Sequence, residues 1–323
     1  MLASVAAVVA GLALLVWSAD RFVLGASATA RDLGVAPIVI GLVIIGFATS
    51  SPEMLVAAFA AWQGNPGLGI GNAVGSNIAN IALILGASAL VAPLACGSRI
   101  LNRELPLLFL VTLLAAGLMF DRMLGRLEGT ILLVTLAIAV ALLLRQALVE
   151  RDTPDDPLAA ELAEQIPAGM PLPRALAWLA AGFAVLLISS RMLVWGGVNI
   201  AEALGVSDLV IGLTVVAVGT SLPELAAAVA SVLKKEYDLV LGNVIGSNLF
   251  NTLAVLGLPA LISPGLIPPE VLTRDLPVMG ALTLLLLPVL AHRRGRPGRI
   301  GRGEGLLLVS CFVGYQGYLF ATL

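Results

Sequence analysis

The chain has 323 residues, of which 59% are hydrophobic and only 12% are charged, and its formal net charge is −2. This composition is too apolar for an ordinary soluble domain, and a near-neutral charge offers no basic surface to nucleic acid. Two separate cysteines and one histidine do not suggest a disulfide framework or a soft-metal site. We therefore expect an integral protein of the lipid bilayer with no nucleic-acid partner.

Apolar runs long enough to cross a bilayer recur along the chain. They predict an all-α membrane protein with ten transmembrane helices, at 2–24, 35–62, 68–93, 104–120, 127–147, 174–197, 206–233, 239–263, 275–291 and 304–323. The first run lacks a positively charged start and has a counterpart at 174–187, so we interpret it as a span and not as a cleaved signal.

A polar linker, residues 148–173, separates a first half, 1–147, from a second half, 174–323. Its prolines and short length are typical of a flexible connector between halves. Its acidic residues leave a regulatory cation site as the alternative interpretation.

One stretch of the sequence is repeated. Residues 41–86 and 212–257 align without a gap at an offset of 171 and are identical at 16 of 46 positions. The last helix pair needs a further shift of five, which sets Gly125 against Gly301. Each half then holds five spans, and an odd number inserts the second half upside down. The pattern predicts two inverted five-helix repeats with a site between them, as in secondary transporters.

The loop charges predict an orientation. With these spans, thirteen lysines and arginines fall in loops on one side and three on the other. Because positive loops stay in the cytoplasm, we expect both termini outside it, in the inner (plasma) membrane.

Each copy of the repeat places one glutamate, Glu53 or Glu224, in an apolar run. An ionisable group at membrane depth costs about 2.5–3.5 kcal/mol on insertion scales, so it indicates a functional site. Pro52 and Pro223 lie directly before these glutamates and loosen the preceding turn. We therefore expect broken helices 2 and 7, with free carbonyls that line a polar cavity.

Further oxygen donors recur in both copies at helical spacing. Thr49 and Thr220 lie one turn before the glutamates, and the next helix carries a stripe at i, i+4 and i+8. The stripes are Asn72, Ser76 and Asn80 in the first copy and Asn243, Ser247 and Asn251 in the second. The glycines between them are equally typical of helix packing, and a carboxyl pair sharing a proton is the structural alternative for the glutamates.

This donor set is all oxygen, which suits Ca²⁺, Na⁺, Mn²⁺ or Mg²⁺ and disfavours copper and zinc. Two carboxylates neutralise one divalent ion, and several sodium ions in the same ligands would compete with it. A passive channel and an intramembrane hydrolase using Ser50 or Ser221 are the other classes considered. No base is placed to activate either serine, so we do not expect an enzyme.

The motifs Gly219–Glu224 (GTSLPE) and Gly242–Asn248 (GNVIGSN) resemble those of the calcium/cation antiporter superfamily, in particular the prokaryotic sodium/calcium exchangers. The first copy departs from the pattern at Ala48 and Ser51. The resemblance covers nearly the whole chain. It implies an antiporter that exchanges Na⁺ for Ca²⁺ by alternating access, with the first and sixth helices sliding past the rest.

The resemblance also implies site roles. Ca²⁺ would bind Glu53 and Glu224 together with the carbonyls of Thr49 and Thr220. The implied Na⁺ ligands are Ser50, Ser76, Ser221, Ser247 and the carbonyls of Gly46 and Ala217, with Asn80 and Asn251 lining the middle. It implies ions as substrates, with no cofactor and no obligate protein partner, and the asparagine at 251 favours potassium independence. A proton/calcium or other divalent-cation antiporter is the alternative.

Overall fold

The computed structural model describes residues 1–35, 46–95, 103–150, 170–235, 237–290 and 298–322. Within these ranges the chain is helical apart from turns and four two-residue strands. The first part of the predicted span 35–62, most of the predicted linker, Cys96 and His292 lie outside the described residues.

The elements, in chain order, have the following bounds. The helices are α1 Leu2–Asp32, α2 Gly46–Thr49, α3 Ser51–Trp62, α4 Pro66–Ile78, α5 Gly86–Val91, α6 Leu105–Leu118, α7 Arg126–Glu150, α8 Leu172–Leu204, α9 Asp208–Ile211, α10 Ala217–Thr220, α11 Leu222–Lys234, α12 Tyr237–Phe250, α13 Gly257–Ile262, α14 Leu276–Leu290 and α15 Arg302–Ala321. The strands are β1 Leu94–Ala95, β2 Met123–Leu124, β3 Gly265–Leu266 and β4 Arg299–Ile300. Four π-helical segments join or precede helices: Ala79–Leu85, Gly212–Val216, Asn251–Val255 and Val271–Asp275.

Eight helical stretches of the described residues are long and apolar enough to cross a membrane. They are Leu2–Asp32, Pro66–Val91, Arg126–Arg145, Leu172–Leu204, Asp208–Leu233, Tyr237–Ile262, Val271–Leu290 and Arg302–Ala321. The helix α6 is apolar but shorter. These nine helices occupy nine of the ten predicted spans, and the tenth is described only from Gly46 onward.

Two predicted helix ends are wrong. The spans 2–24 and 174–197 continue as α1 to Asp32 and as α8 to Leu204. Asp20 and Arg21 lie inside α1, where their side chains are 3.6 Å apart and the Arg21 guanidinium lies 5.1 Å from the centre of the Trp178 ring. An arginine near an aromatic face is attracted to it.

Both helices end in the same way. Gly34 and Gly205, which correspond at the offset of 171, have φ values of +78° and +67°. This left-handed conformation favours glycine and is the usual way to end a helix.

The helices α1 and α8 pack against each other in opposite directions. A Cβ built on Gly25, near the end of α1, would lie 2.7 Å from Leu179 Cα, near the start of α8. A Cβ built on Gly196, near the end of α8, would lie 2.7 Å from the carbonyl oxygen of Ser4, near the start of α1. Contact of backbone with backbone through glycine is a common way to join helices in a membrane.

The short strands connect the two halves. Strand β1 pairs antiparallel with β4, and β2 pairs antiparallel with β3. At the offset of 171, β1 corresponds to β3, and with the extra shift of five, β2 corresponds to β4. Each strand therefore pairs with a strand of the other half, and the two pairings are equivalent.

The helices that follow β2 and β4 begin alike. The Glu128 carboxylate accepts a hydrogen bond from the Gly125 N–H at 2.9 Å, and the Glu304 carboxylate accepts one from the Gly301 N–H at 3.1 Å. Carboxylates at a helix start satisfy free N–H groups and suit the helix dipole. The predicted alignment of Gly125 with Gly301 is thus matched by the same local geometry.

The centre of the protein lies along α4 and α12. Within the most apolar windows, 78% of Pro66–Val91 and 83% of Tyr237–Ile262 are buried, against 33% for α1 and for α8. A buried acid, Asp275, lies at the edge of this core and accepts hydrogen bonds from Arg274 Nε at 2.6 Å and from the Tyr315 hydroxyl at 2.8 Å. This pairing compensates a buried charge and ties the segment Val271–Asp275 to α15.

Candidate cation site

Two short helix breaks place the glutamates. Helix α2 ends at Thr49, Ser50 turns with φ −86° and ψ 1°, and α3 begins with Pro52 in its first turn. The second half repeats this geometry at Ser221, with φ −84° and ψ 3°. A proline is tolerated in a first turn because its missing N–H has no helical partner there.

The breaks put Glu53 and Glu224 in the first turns of α3 and α11. A helix start favours a negative charge, because the free N–H groups and the helix dipole point toward it. Each acid is thereby held by the start of its own helix.

The two carboxyl groups are buried together. Glu53 is 1% exposed and Glu224 is 2% exposed, and the two lie close enough to repel each other when both are ionised. The structure thus brings together the two acids that the sequence repeat singled out, one from each half. Two like charges in the protein interior call for a cation or a proton.

Several of the predicted ligands carry buried oxygen atoms without a hydrogen-bond partner. In the described part of the chain, the buried side-chain atoms without a hydrogen-bond partner include Ser50 Oγ, Glu53 Oε2, Asn80 Oδ1, Ser221 Oγ, Glu224 Oε2, Ser247 Oγ and both amide atoms of Asn251. Most buried polar atoms in native proteins have a partner, so a concentration of free oxygens needs an explanation. All seven residues belong to the predicted ligand set. Oxygen atoms that no protein group satisfies fit hard cations such as Ca²⁺ and Na⁺.

The remaining predicted ligands are engaged by protein groups. Thr49 Oγ1 donates to the Gly46 carbonyl at 3.1 Å, and Thr220 Oγ1 contacts the Ala217 carbonyl at 3.4 Å. Ser76 Oγ donates to Asn72 Oδ1 at 3.4 Å. A carbonyl oxygen has two lone pairs, so one hydrogen bond leaves room for an ion.

The asparagines of the two stripes differ in their surroundings. Asn72 uses both ends of its amide, since its Nδ2 donates to the Glu53 carbonyl at 3.2 Å and its Oδ1 accepts from Thr220 at 3.1 Å. Asn243 is its counterpart, yet its Nδ2 has no partner among the described residues. Asn80 and Asn251 lie in matching π-helical segments, a local geometry that is frequent at functional sites.

Sequence reasoning missed a network beside the site. Asn80 Nδ2 donates to Asn248 Oδ1 at 2.9 Å, and Asn248 Nδ2 donates to the Asn77 carbonyl at 3.4 Å. Asn77 Nδ2 in turn donates to Thr252 Oγ1 at 2.8 Å. This chain crosses between the halves and turns Asn80 so that its oxygen stays free. The sequence signal for Asn77 and Asn248 is that both belong to the repeated GSN motif. Neither residue lies on the stripe at i, i+4 and i+8, so the stripe did not single them out.

An all-helical, apolar protein with a buried cluster of oxygen donors between two repeated halves is a membrane transporter of cations. The family model described as "Sodium/calcium exchanger protein" matches residues 3–145 and 174–321. The chain therefore belongs to the sodium/calcium exchanger family.

Its relatives cover the full fold. The chain is 48% identical over 322 residues to the putative antiporter CaxA of Alkalimonas amylolytica, with 100% of both chains covered. It is 39% identical to the inner membrane protein YrbG of Escherichia coli K12, over 99% of this chain and 98% of that protein. Among solved structures, it resembles the sodium-calcium exchanger NCX_Mj soaked with Na⁺ and Sr²⁺, at 31% identity and a TM-score of 0.65 over 97% of each chain.

Proposed function

We propose that this protein is a secondary-active sodium/calcium antiporter that exchanges Na⁺ for Ca²⁺ at a site between its two halves. One observation carries the proposal: two buried glutamates, one from each half, stand among oxygen atoms that no group of the described protein satisfies. Similarity to the putative antiporter CaxA and to the sodium-calcium exchanger NCX_Mj supports the same activity. Nothing in the donor set is soft, which fits calcium and sodium better than copper or zinc.

The proposed architecture is ten transmembrane helices in two inverted five-helix repeats with broken helices 2 and 7. The antiparallel packing of α1 on α8, two helices that correspond in the repeat, supports inversion of one half relative to the other. The exchanged strand pairs support a two-fold relation between the halves. We place the protein in the inner (plasma) membrane with both termini outside the cytoplasm, following its loop charges.

The exchange itself follows from charge balance. Two ionised carboxylates neutralise one Ca²⁺, and the hydroxyl and amide oxygens around them supply the further ligands that this ion needs. When Ca²⁺ leaves, Na⁺ ions bind the same oxygen atoms and neutralise the carboxylates. The two ions therefore compete for the site and cross the membrane in turn. At the 3:1 ratio that the family resemblance implies, one net charge crosses per cycle. Membrane potential then biases the direction by about 2.3 kcal/mol per 100 mV.

A flux experiment tests this proposal against its proton-coupled alternative. Purified protein is reconstituted into vesicles loaded with Na⁺, and uptake of ⁴⁵Ca²⁺ is followed after dilution into Na⁺-free buffer. We expect uptake that depends on the Na⁺ gradient and persists when a protonophore removes the pH gradient. Uptake driven only by a pH gradient would establish the proton/calcium antiporter instead. Uptake that needs neither counter-ion would indicate a channel.

A further inference from the structure

The side-chain amide of Asn248 has a fixed polarity. Its Nδ2 faces the backbone carbonyl of Asn77 at 3.4 Å, and a carbonyl can only accept a hydrogen bond. Its Oδ1 therefore points the other way, where it accepts a hydrogen bond from Asn80 Nδ2 at 2.9 Å. If the amide of Asn248 were reversed, two oxygen atoms would face each other at Asn77 and two NH₂ groups at Asn80. Both contacts would be repulsive in this interior, where the three asparagines are at most 2% exposed.

This polarity is passed on to Asn80. Because Asn248 holds the Nδ2 of Asn80, the Oδ1 of Asn80 is turned away from that contact, and it is buried without a hydrogen-bond partner. Asn80 lies two turns after Asn72 in the same helical stretch. The Asn72 amide bonds the Glu53 carbonyl and the Thr220 hydroxyl. The free oxygen of Asn80 is thus on the helix that lines the candidate cation site, where an oxygen attracts a cation and an NH₂ group repels it.

Asn77, which corresponds to Asn248 at the offset of 171, uses its amide differently. Its Nδ2 donates to Thr252 Oγ1 at 2.8 Å and lies 3.3 Å from Met279 Sδ. At the positions equivalent to that threonine and that methionine, the first half has two buried apolar residues, Ile81 and Leu108. The two halves therefore differ here in sequence, because only Asn77 is given polar side-chain partners of this kind.

Asn251, the counterpart of Asn80, lacks the restraint that Asn80 has. Both amide atoms of Asn251 are without a hydrogen-bond partner in the part of the chain that the structure describes. The protein therefore orients the amide of Asn80 before an ion arrives, and it does not orient the amide of Asn251 in this way.

We propose that Asn248 is a positioning residue of the cation site, which does not contact the ion but holds the Asn80 amide with its oxygen free for the ion. This inference rests on the proposed antiporter and adds the group that prepares one of its ligands. Asn248 bonds protein groups through both of its amide atoms, as a positioning residue should. A ligand that is already oriented costs less free energy to bind, so Asn248 raises the affinity for the ion.

Loss of the Asn248 amide leaves Asn80 Nδ2 without an acceptor. The carboxylates of the empty site then favour Asn80 with its NH₂ group turned toward them. Ion binding has to reverse this orientation and leave the NH₂ group buried without a partner, which costs free energy.

Calcium binding by Asn248→Leu tests the proposal. Dissociation constants are measured by isothermal titration of the purified protein in detergent without sodium. We expect Asn248→Leu to weaken calcium binding by about ten-fold, the cost of one buried polar group without a partner. The matched control is Thr252→Val, which removes the hydrogen bond of the Asn77 side chain and leaves the Asn77 carbonyl in place. This control should bind calcium as the parent does, and an equal weakening in both variants overturns the proposal.

A second background separates positioning from a purely structural role. In Asn80→Asp both ends of the side chain are oxygen, so its orientation no longer matters. Adding Asn248→Leu to Asn80→Asp should change calcium affinity by less than about two-fold. The same ten-fold weakening in both backgrounds, or none in the parent background, overturns the proposal.

Two replacements keep the test decisive. If Asn80→Asp binds no calcium, Asn80→Leu takes its place, and Asn248→Leu should add no further loss to it; an added ten-fold loss overturns the proposal. If thermal unfolding shows that Asn248→Leu does not fold, the smaller Asn248→Ala is used with the same expected direction.

This test is separable from the test of antiport. The titrations measure binding at equilibrium, and the flux experiment uses the unmodified chain. Sodium-driven calcium uptake together with unchanged affinity in Asn248→Leu removes the positioning role alone. The expected titrations without sodium-driven uptake remove the sodium/calcium proposal and leave the role of Asn248 in place, and a parent protein that binds no calcium counts against both.

Discussion

Replacing Glu53 by glutamine tests whether the buried acids select the ion by its valence. The change keeps the shape of the side chain and removes one charge. At an effective dielectric constant of about 20 and about 4 Å, one pair of unit charges is worth about 4 kcal/mol. A divalent ion therefore loses about 8 kcal/mol of attraction. The repulsion between Glu53 and Glu224 is present with and without the ion, so its loss cancels from the binding free energy.

The loss differs between the two ions. For Ca²⁺ a loss of about 8 kcal/mol weakens binding by about six orders of magnitude. For a Na⁺ ion the lost attraction is about 4 kcal/mol, which weakens its binding by about three orders of magnitude. Glu53→Gln should thus abolish calcium binding and weaken sodium binding far less.

Isothermal titration of the purified protein with CaCl₂ and with NaCl measures both affinities. The matched control is Glu202→Gln, an exposed glutamate on α8 whose loss should affect neither ion. Calcium affinity within ten-fold of the parent, or an equal fall for both ions, would refute the charge-balance argument. Thermal unfolding of each variant without ions shows that the fold is kept.

Three further substitutions test the fold and the free oxygens. Gly25→Ala should push α1 away from α8, because the new Cβ would lie 2.7 Å from the facing backbone. Both the unfolding temperature and calcium uptake should fall. In the control Gly314→Ala the new Cβ has nothing within 4 Å, so neither quantity should change. Tyr315→Phe removes a 2.8 Å hydrogen bond to the buried Asp275 and should cost about 1–3 kcal/mol of stability, measured as a lower unfolding temperature in detergent. Ser247→Ala removes an oxygen without a partner in the described protein, so it should leave the unfolding temperature unchanged while raising the KM for ions in the flux assay.

Each of these has an outcome that counts against it. Equal effects of Gly25→Ala and Gly314→Ala would mean that Gly25 is not needed for the close approach of α1 and α8. An unchanged unfolding temperature for the tyrosine variant would mean that Asp275 is satisfied without the hydroxyl. A destabilised Ser247→Ala with unchanged KM would make that hydroxyl part of the fold and not of the ion site.

The sequence alone predicted the residues of the candidate site, because the duplication runs without a gap through both motifs. The spacing of Thr49 to Glu53 and the proline between them predicted where the helices turn. These are local properties of a chain that folds the same way twice.

Two other features were beyond sequence reasoning. The contact of Arg21 on α1 with Trp178 on α8 joins residues far apart in the chain, so no local pattern reveals it. The different hydrogen bonds of Asn72 and Asn243 are also beyond sequence reasoning. The two residues correspond in the repeat, and only the packed structure shows which partners each one has.

The exchange of strands between the halves bears on how such a chain can originate. Strand β1 pairs with β4 and strand β3 pairs with β2, so within the described residues each pairing joins one half to the other. Two separate copies of a single half, inserted in opposite directions, would close the same two pairings with each other. A gene for one half could therefore have produced a working pair before any gene fusion. The linker would later have joined two halves that already paired through their strands.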